Sequence, residues 1–328
     1  MRSDYDDHVW ALVLAGGDGN RLRSLTTTAS GVAVPKQYCS LHGETTLLHS
    51  ALDRAQAITA KHRICTIVAA QHRQWWEMLL SEYAAEHIVV QPRNCGTAIG
   101  IMLSLLHIVR HDPDAQILLL PSDHHVHEEA ILTEALQRAS ARLGKGCDKV
   151  LVLGIEPEEA DSELGYVLPG KYLGEGVFAV ASFIEKPPVT RAHQLLAQGA
   201  LWNTFIVAAT ATTLLQLFAQ RCPEILAEMQ AIVNRSHEAP PRRGLLDELY
   251  TRLPSLDFSR HVLQGVESLL EVLSVPACGW SDLGTPRRIR DVLHRWPQTT
   301  ATSSRSVAPV TLAAHADFIV SKSLYQTS

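Results

Sequence analysis

A glycine-rich stretch follows the first apolar run of the chain and gives its strongest indication of chemistry. The run VWALVL leads into LAGGDGNRL (14–22), where Gly16, Gly17 and Gly19 are followed by Arg21. Glycines let a ligand approach backbone N–H groups closely, and a neighbouring arginine suits a phosphate. The chain has no P-loop pattern, and its G-x-G-x-x-G match fails at the last glycine. The stretch therefore predicts a phosphate site of another type, or else a structural turn.

Two motifs further along the chain offer groups to the same ligand. Lys36, in VPKQY, follows a proline that fixes the local backbone and helps to aim the side chain at an anion. In QPRNCGTA, the amides of Gln91 and Asn94 suit the edge of a base. Gly96 permits close approach, and Thr97 is expected to cap the following helix. The alternatives are a solvated lysine and an ordinary helix start.

The motif PSDHH supplies a candidate metal ligand. Asp123 follows an apolar run, and the carboxyl end of a buried parallel strand is where α/β sheets bind ligands. Its carboxylate suits Mg²⁺, a hard ion that prefers oxygen. His124, His125 and His127 suggest zinc and a metallohydrolase as an alternative, but no second His/Cys cluster completes a tetrahedral site.

Three motifs in the second half add polar groups at the ends of apolar runs. FIEKPP places Glu185 and Lys186 at the end of a strand that a double proline stops. LWNTF carries Asn203 between aromatic residues, and CGWSDLGTP holds Asp282 in a turn bounded by glycines. Each motif alone is also compatible with a solvated edge or a helix cap.

The bulk composition limits the class of protein. The chain has 328 residues, 46% of them hydrophobic, and a net charge of −5, so neither disorder nor a polyanionic partner is indicated. Its six cysteines are scattered without a CxxC pair, which is typical of reduced, cytosolic thiols. The N-terminal residues resemble no signal peptide, and no apolar run has the length of a membrane helix. We expect a cytoplasmic protein with small-molecule substrates and neither nucleic-acid nor membrane partners; a homodimer is compatible with the sequence.

Apolar runs alternate with amphipathic stretches in the first half of the chain. Such alternation predicts an α/β fold with a parallel sheet that helices cover on both faces. The predicted strands are 9–14, 64–70, 87–91, 117–120 and 150–155, and the predicted helices are 47–57, 71–86, 98–110 and 128–143. The second half is more mixed. There the pattern predicts strands 166–168, 178–184 and 204–208, helices 212–220, 223–233 and one after residue 286, a loop over 236–244, a linker over 298–309, and a strand or tail over 311–320.

Taken in order, the motifs resemble those of the sugar-nucleotide pyrophosphorylases, which are nucleotidyltransferases, and most of all the mannose-1-phosphate guanylyltransferase branch. The matching segments are LAGGDGNRL, PKQ, QPRNCGTA, PSDH, GY, FIEKP, WNT and GWSDLGTP, and they span Val9 to Arg290. The resemblance implies a Rossmann-like nucleotidyltransferase fold with a mixed, mostly parallel sheet flanked by helices. It implies a catalytic domain over 1–290 and a short C-terminal extension over 291–328.

The resemblance also implies a reaction and a role for each motif. The reaction transfers GMP from GTP to mannose-1-phosphate, releasing pyrophosphate and forming GDP-mannose with Mg²⁺ as cofactor. The implied catalytic residues are Arg21, Lys36, Asp123, Lys186 and Asp282, of which Asp123 and Asp282 would hold the metal. The implied nucleotide-binding residues are Leu14, Ala15, Gly16, Gly17, Gly19, Gln91, Asn94, Gly96 and Thr97. The implied sugar-phosphate-binding residues are Gly165, Glu185, Lys186 and Asn203.

The sequence departs from the family pattern at three places. Residues 23–25 are Arg-Ser-Leu where relatives often have Trp-Pro-Leu, and no basic residue immediately precedes Pro35. Residues 203–205 are Asn-Thr-Phe where relatives often have Asn-Ser-Gly. These departures leave open another sugar or base. They also leave open a catalytically silent homologue that binds a sugar nucleotide as a regulator.

Overall fold

The computed structural model of the chain describes residues 7–28, 30–43, 45–235, 243–296 and 311–312. Within these residues nine strands form one sheet. They are β1 (Val9–Ala15), β2 (Ile64–Ala69), β3 (Ile88–Gln91), β4 (Gln116–Pro121), β5 (Val150–Ile155), β6 (Tyr166–Gly174), β7 (Val177–Ile184), β8 (Leu201–Thr210) and β9 (Leu270–Val275).

The strand order is β3-β2-β1-β4-β8-β5-β9-β7-β6. Neighbours β3, β2, β1 and β4 pair in parallel, as do β5 and β9. The reversed strand β8 lies between β4 and β5, and β7 is antiparallel to both β9 and β6. All the described strands except β7 and β8 therefore run in one direction, which confirms the predicted mixed, mostly parallel sheet.

Helices cover the sheet because its strands are apolar on both faces. Along β1, Ala11 and Val13 belong to one buried cluster while Trp10 and Leu12 belong to the other, as the period of two requires. The described helices are α1 (Arg23–Thr26), α2 (Leu47–Gln56), α3 (Arg73–Leu79), α4 (Thr97–His111), α5 (Glu129–Gly144), α6 (Val189–Ala197), α7 (Ala211–Arg221), α8 (Pro223–Arg235), α9 (Arg243–Arg252) and α10 (Pro286–Arg295). Helices α2, α5, α6 and α10 pack on the first cluster, and α4, α7, α8 and α9 on the second.

The predicted helix over 71–86 is wrong in extent. Helix α3 ends at Leu79, because the Ser81 hydroxyl binds the Met78 carbonyl and the chain turns so that the Tyr83 N–H reaches Leu80. Strand β6 continues to Gly174, six residues beyond the predicted end at Leu168, because it pairs with β7 in a long hairpin. Strand β9 and helices α1, α6 and α9 were not predicted.

Several predictions concern the ends of the chain and its longest loop. The loop over 236–244 lies outside the described residues except at its end, where α9 begins. The linker over 298–309 also lies outside them, and of 311–320 only Thr311 and Leu312 are described; Thr311 pairs in parallel with Ser40. The division at residue 290 stays a prediction, although it falls within α10, which packs on the core. No helix in the described part of the chain combines the length and the apolar character needed to span a membrane.

Candidate active site

A cavity of about 350 Å³ opens where the parallel strands end. Leu14 of β1, Gln91 of β3 and Pro121 of β4 line one side, and the segments around Gly165 and Glu185 line the other. This is the edge at which α/β sheets generally bind ligands, namely the carboxyl ends of the parallel strands. The predicted site residues that line the cavity are Leu14, Gly16, Gly17, Arg21, Gln91, Asn94, Gly96, Thr97, Asp123, Gly165, Glu185, Lys186, Asn203 and Asp282.

Three predicted site residues lie behind the wall of the cavity. Ala15 is buried, and its carbonyl accepts hydrogen bonds from Gln37 Nε2 (2.9 Å) and the Tyr38 hydroxyl (3.1 Å). Gly19 adopts φ 65°, and a Cβ there would lie 2.9 Å from the backbone nitrogen of Lys36. Lys36 itself is buried. These three residues shape the wall and do not face the cavity directly.

The glycine loop is fixed by side chains from other elements. Gln37 Nε2 also donates to the Gly17 carbonyl at 2.8 Å, and the Ser122 hydroxyl donates to the Leu14 carbonyl at 2.6 Å. A Cβ on Gly16 would lie 2.3 Å from Gln91 Nε2, so only glycine lets the Gln91 amide reach this place. Gln91 Oε1 is buried and has no hydrogen-bond partner among the described residues. A buried acceptor without a hydrogen bond destabilises the fold, and a donor group of a ligand that reached Gln91 Oε1 would satisfy it.

The QPRNCGTA segment joins the glycine loop to the start of α4. Asn94 Nδ2 donates to Asp18 at 3.2 Å, while Asn94 Oδ1 accepts from the Gly96 N–H at 2.9 Å. Gly96 adopts φ 87° and packs so closely on Leu256 that a Cβ would collide with its backbone. The expectation that Thr97 caps α4 is wrong. Gly96 is the capping residue, and Thr97 Oγ1 instead accepts from the backbone of a segment that folds over the helix start.

Lys36 joins the two candidate metal ligands. Its Nζ lies 2.9 Å from Asp123 Oδ2 and donates to the Asp282 carbonyl at 2.6 Å. Asp123 keeps 39% of its side chain exposed, whereas Asp282 keeps 11%. The two aspartates thus border the cavity side by side, with one buried ammonium between their segments.

Asp282 also forms part of a buried ion-pair network. Arg288, on the first turn of α10, binds Asp282 Oδ1 through Nη1 and Asp161 through Nη2. The Gly284 N–H donates to the same Asp282 oxygen at 2.9 Å. Among the described residues, Asp282 Oδ2 receives no hydrogen bond, so it is the oxygen left for a cation.

The charges around both aspartates favour their ionised forms. Burial opposes ionisation of Asp123, but Lys36 and His124 more than offset it and hold its pKa below the usual value. Burial likewise opposes ionisation of Asp282, and Arg288 and Lys36 together lower its pKa. Two carboxylates that stay charged at neutral pH and line the same cavity fit the oxygen ligands that Mg²⁺ prefers.

A second polar group lies at the far side of the cavity. Glu185 directly follows β7, and a Cβ on Gly165 would lie 2.4 Å from Glu185 Oε2. Asn203, near the start of β8, hydrogen-bonds Glu185, donates its N–H to the Gly165 carbonyl at 2.8 Å, and donates Nδ2 to Ser259 at 3.3 Å. Burial and the Asp257 carboxylate raise the pKa of Glu185 to about 7. Three of the four predicted sugar-site residues, Gly165, Glu185 and Asn203, are therefore in mutual contact.

Backbone strain is concentrated near the cavity. Four described residues other than glycine have positive φ, and three of them are Lys186 (49°), Phe205 (61°) and Leu283 (47°). Lys186 and Phe205 line the cavity, and Leu283 follows Asp282. Such conformations cost about 1 kcal/mol or more each, and they cluster at functional sites.

Two cations differ in how they meet the cavity. Arg21 Nη1 lies 3.5 Å from Glu163 Oε2, and both side chains are about half exposed. Lys186 is exposed, and no carboxylate in the described part of the chain lies within ion-pair distance of its ammonium. Lys186 is therefore better placed than Arg21 to receive an anion without first losing a partner.

The zinc alternative fails at the PSDHH histidines. Trp280 Nε1 contacts His124 at 3.3 Å, and His127 stacks on Trp296 with ring centroids 4.6 Å apart. His125 also packs against Trp296. Within the described residues these three imidazoles form no metal-binding group. They are packing residues beneath Asp123.

Sequence reasoning missed several residues that shape the cavity. The motif PKQ contains Gln37, for which the sequence predicts no role. Arg288 lies just beyond GWSDLGTP and outside every predicted motif. Glu163, Asp257 and Trp280 line the cavity from loops. Gln37 and Trp280 lie inside the motifs PKQ and GWSDLGTP, so their positions beside predicted site residues are a signal that the sequence does contain.

Comparisons with known proteins find relatives that match most of this chain. A mannose-1-phosphate guanylyltransferase of Salmonella muenchen is 28% identical over 88% of this chain and 60% of its own length. A protein of the same description from Sinorhizobium fredii is 28% identical over 83% of this chain and 52% of its own length. The chain thus spans less than two thirds of the curated relatives it matches. The crystal structure described as mannose-1-phosphate geranyltransferase from Thermus thermophilus shares the fold, with a TM-score of 0.72 at 24% identity over 88% of this chain and 80% of that one.

The match to a family model is broader than any single motif. The model described as nucleotidyl transferase covers residues 10–298, which include every predicted site residue and all nine described strands except the first residue of β1. The chain belongs to the nucleotidyl transferase family.

Proposed function

We propose that this protein transfers a nucleoside monophosphate to a hexose-1-phosphate, with GTP and mannose-1-phosphate as the substrates and GDP-mannose and pyrophosphate as the products. One observation carries the proposal. A single cavity joins the glycine loop and Gln91 at one end to Glu185 and Asn203 at the other, with Asp123 between them. The choice of mannose and guanine rests on the names of the relatives at 28% identity.

The reaction needs two polyanions to meet in line. An oxygen of the sugar phosphate attacks the α-phosphorus of the triphosphate. The new P–O bond forms as the bond from that phosphorus to the β-bridging oxygen breaks, and pyrophosphate leaves with that oxygen. Positioning and charge neutralisation supply most of the catalysis in such transfers.

The chain's own groups divide this work. The backbone of Gly16 and Gly17 faces the triphosphate, and the Gln91 amide, whose Oε1 has no partner among the described residues, binds the base. Glu185 and Asn203 bind sugar hydroxyls, while Lys186 binds the sugar's phosphate. Arg21, at the mouth, meets the departing pyrophosphate after leaving Glu163.

Asp123 and Asp282 would hold Mg²⁺. When bound, the ion would neutralise phosphate charge and polarise the α-phosphoryl group. Lys36 would hold the segments that carry Asp123 and Asp282 close together. It would not contact phosphate itself, since its ammonium is already bound to Asp123 and to the Asp282 carbonyl.

The test is pyrophosphate release with Mg²⁺ over a grid of four nucleoside triphosphates and several hexose-1-phosphates. We expect the strongest signal for GTP with mannose-1-phosphate, reduced about 100-fold or more by Asp123→Asn. A strong signal for another pair would correct the substrates. Silence over the grid, with tight calorimetric binding of a sugar nucleotide, would replace the enzyme with a regulatory binding protein.

A further inference from the structure

A group of three histidines lies away from the cavity, at the opposite end of the parallel strands. His87 immediately precedes β3, whereas His107 and His111 lie one turn apart on α4. One ring nitrogen from each lies within 4.8 Å of the other two. We propose that His87, His107 and His111 form a binding site for a divalent transition metal, Zn²⁺ in the first instance.

The helix geometry explains why two of the imidazoles meet. Residues four apart lie on the same face of an α-helix, and the rings of His107 and His111 have centroids 4.9 Å apart. The His87 ring lies 5.2 Å from the His111 ring and packs edge-on against Trp10 at 5.1 Å. The three rings therefore converge from two elements onto one point.

The hydrogen bonding leaves nitrogens for a ligand. His87 Nδ1 and His107 Nε2 are buried and have no partner among the described residues, and His87 is 8% exposed as a whole. His107 bonds the backbone of Glu86. Since its Nε2 is unpartnered, the bond is made by Nδ1, which fixes the tautomer and leaves the Nε2 lone pair for a ligand. In metal-bound histidines the ring nitrogen that does not bind the metal usually donates a hydrogen bond to a backbone carbonyl or a carboxylate.

The surroundings favour neutral imidazoles and admit an ion. Burial and the neighbouring His111 lower the pKa of His107 to about 4, and burial also lowers the pKa of His87. Neutral imidazole is the form that binds metal. His111 is exposed, so an ion has a path to the group. Asp112 is not counted as a ligand, because its two oxygens already bind His8 and Trp10.

The distances require a small closure of the site. Tetrahedral zinc with bonds near 2.0–2.1 Å separates its nitrogens by about 3.3 Å, so the rings would each shift by roughly 1 Å. The exposed His111 can supply most of that movement by rotating its side chain. Three protein nitrogens with water in the fourth position form a coordination that zinc accepts. The ion would fasten the start of β3 to the last turn of α4, about 15 Å along the helix from Thr97 at the cavity.

Direct binding tests this proposal on the full chain. Metal-free protein in excess Mg²⁺ is titrated with Zn²⁺ and, separately, with Co²⁺, whose visible absorption reports the coordination geometry. We expect one Zn²⁺ per chain, a tetrahedral Co²⁺ spectrum, and a melting temperature that rises with Zn²⁺ concentration.

Variants locate the site. His111→Ala changes an exposed side chain, so the fold should be retained, and we expect it to weaken Zn²⁺ affinity about 100-fold and to abolish the rise in melting temperature. His193→Ala, an exposed histidine on α6, should leave both unchanged. Equal Zn²⁺ affinity in wild type and His111→Ala, or no Co²⁺ spectrum at saturating metal, would overturn the proposal. Neither readout depends on nucleotidyl transfer.

Discussion

The ammonium of Lys36 lies 2.9 Å from Asp123 Oδ2 and, through a 2.6 Å hydrogen bond, also holds the backbone carbonyl of Asp282. The lysine follows the glycine loop, whereas the two aspartates come from the end of β4 and from the GWSD turn. One buried cation thus joins three distant segments of the sequence and favours the ionised form of Asp123, which lines the cavity.

Removal of this cation should change the pH dependence of the enzyme. Burial favours the protonated form of Asp123, and the Lys36 charge is the largest influence that lowers its pKa. In Lys36→Met that pKa rises, so the acid limb of kcat/KM against pH should move toward neutrality as turnover falls. Lys171→Met, at an exposed lysine of β6, is the control and should keep the wild-type profile. An unmoved acid limb in Lys36→Met would show that Asp123 does not govern activity.

Arg288 should contribute to stability as well as to the site. It is 9% exposed and binds both Asp282 and Asp161, so Arg288→Gln removes the buried cation from two largely buried carboxylates and leaves Asp161 only a 3.8 Å contact with Arg287. We expect a loss of about 3 kcal/mol in the free energy of unfolding, measured in urea. Arg295→Gln is a matched control on the same helix, because its pair with Glu158 is half exposed and contributes about 1 kcal/mol or less. Equal effects of the two changes would refute the buried network.

The pKa of Glu185, raised to about 7, should appear in the binding of the sugar phosphate. The carboxyl is protonated below that pH and becomes a charged, stronger acceptor for hydroxyl groups above it. KM for the hexose-1-phosphate should therefore fall as pH rises from 6 to 8, while KM for the triphosphate does not follow this change. In Glu185→Gln the part of this pH dependence that comes from the carboxyl group is lost. Only the part that comes from titration of the substrate's own phosphate remains. If KM for the hexose-1-phosphate in Glu185→Gln kept the full wild-type pH dependence, Glu185 would not be part of the sugar site.

Gly16 tests the nucleotide end of the cavity. The methyl group of Gly16→Ala meets Gln91 Nε2 at 2.3 Å and displaces an amide at the end of a flexible side chain, so folding should survive. We expect KM for the triphosphate to rise about tenfold, roughly the value of one lost hydrogen bond, with KM for the sugar phosphate unchanged. Gly244→Ala, with nothing within 4 Å of the added Cβ, is the control. The opposite KM pattern would reverse the assignment of the two ends.

Much of the fold follows from local patterns. The apolar runs of β1, β2, β4 and β5 are short, continuous and followed by amphipathic stretches, which is enough to predict buried parallel strands. The placement of Asp123 and Glu185 could also be predicted, since Asp123 lies two residues after β4 and Glu185 directly follows β7. Their roles needed the resemblance to a family, because a carboxylate at a strand end is compatible with many chemistries.

The rest depends on contacts between residues far apart in sequence. Nothing near Asp282 indicates that Asp161 shares its arginine, and nothing in PKQ indicates that Lys36 reaches Asp123. The end of α3 at Leu79 depends on a turn held by Ser81, although the helical spacing continues beyond it. The three clustered histidines are likewise invisible in sequence, since His87 lies twenty positions before His107.

The path of the phosphate oxygens tests the central claim most directly. Mannose-1-phosphate with ¹⁸O in all phosphate oxygens is incubated with GTP, Mg²⁺ and the wild-type protein. Mass spectrometry then gives the number of labelled oxygens in each product. Attack by the sugar phosphate on the α-phosphorus predicts a nucleotide sugar that keeps every labelled oxygen, one of them as the new bridge, and unlabelled pyrophosphate. Label in the pyrophosphate, or GMP without a nucleotide sugar, would contradict the proposed transfer.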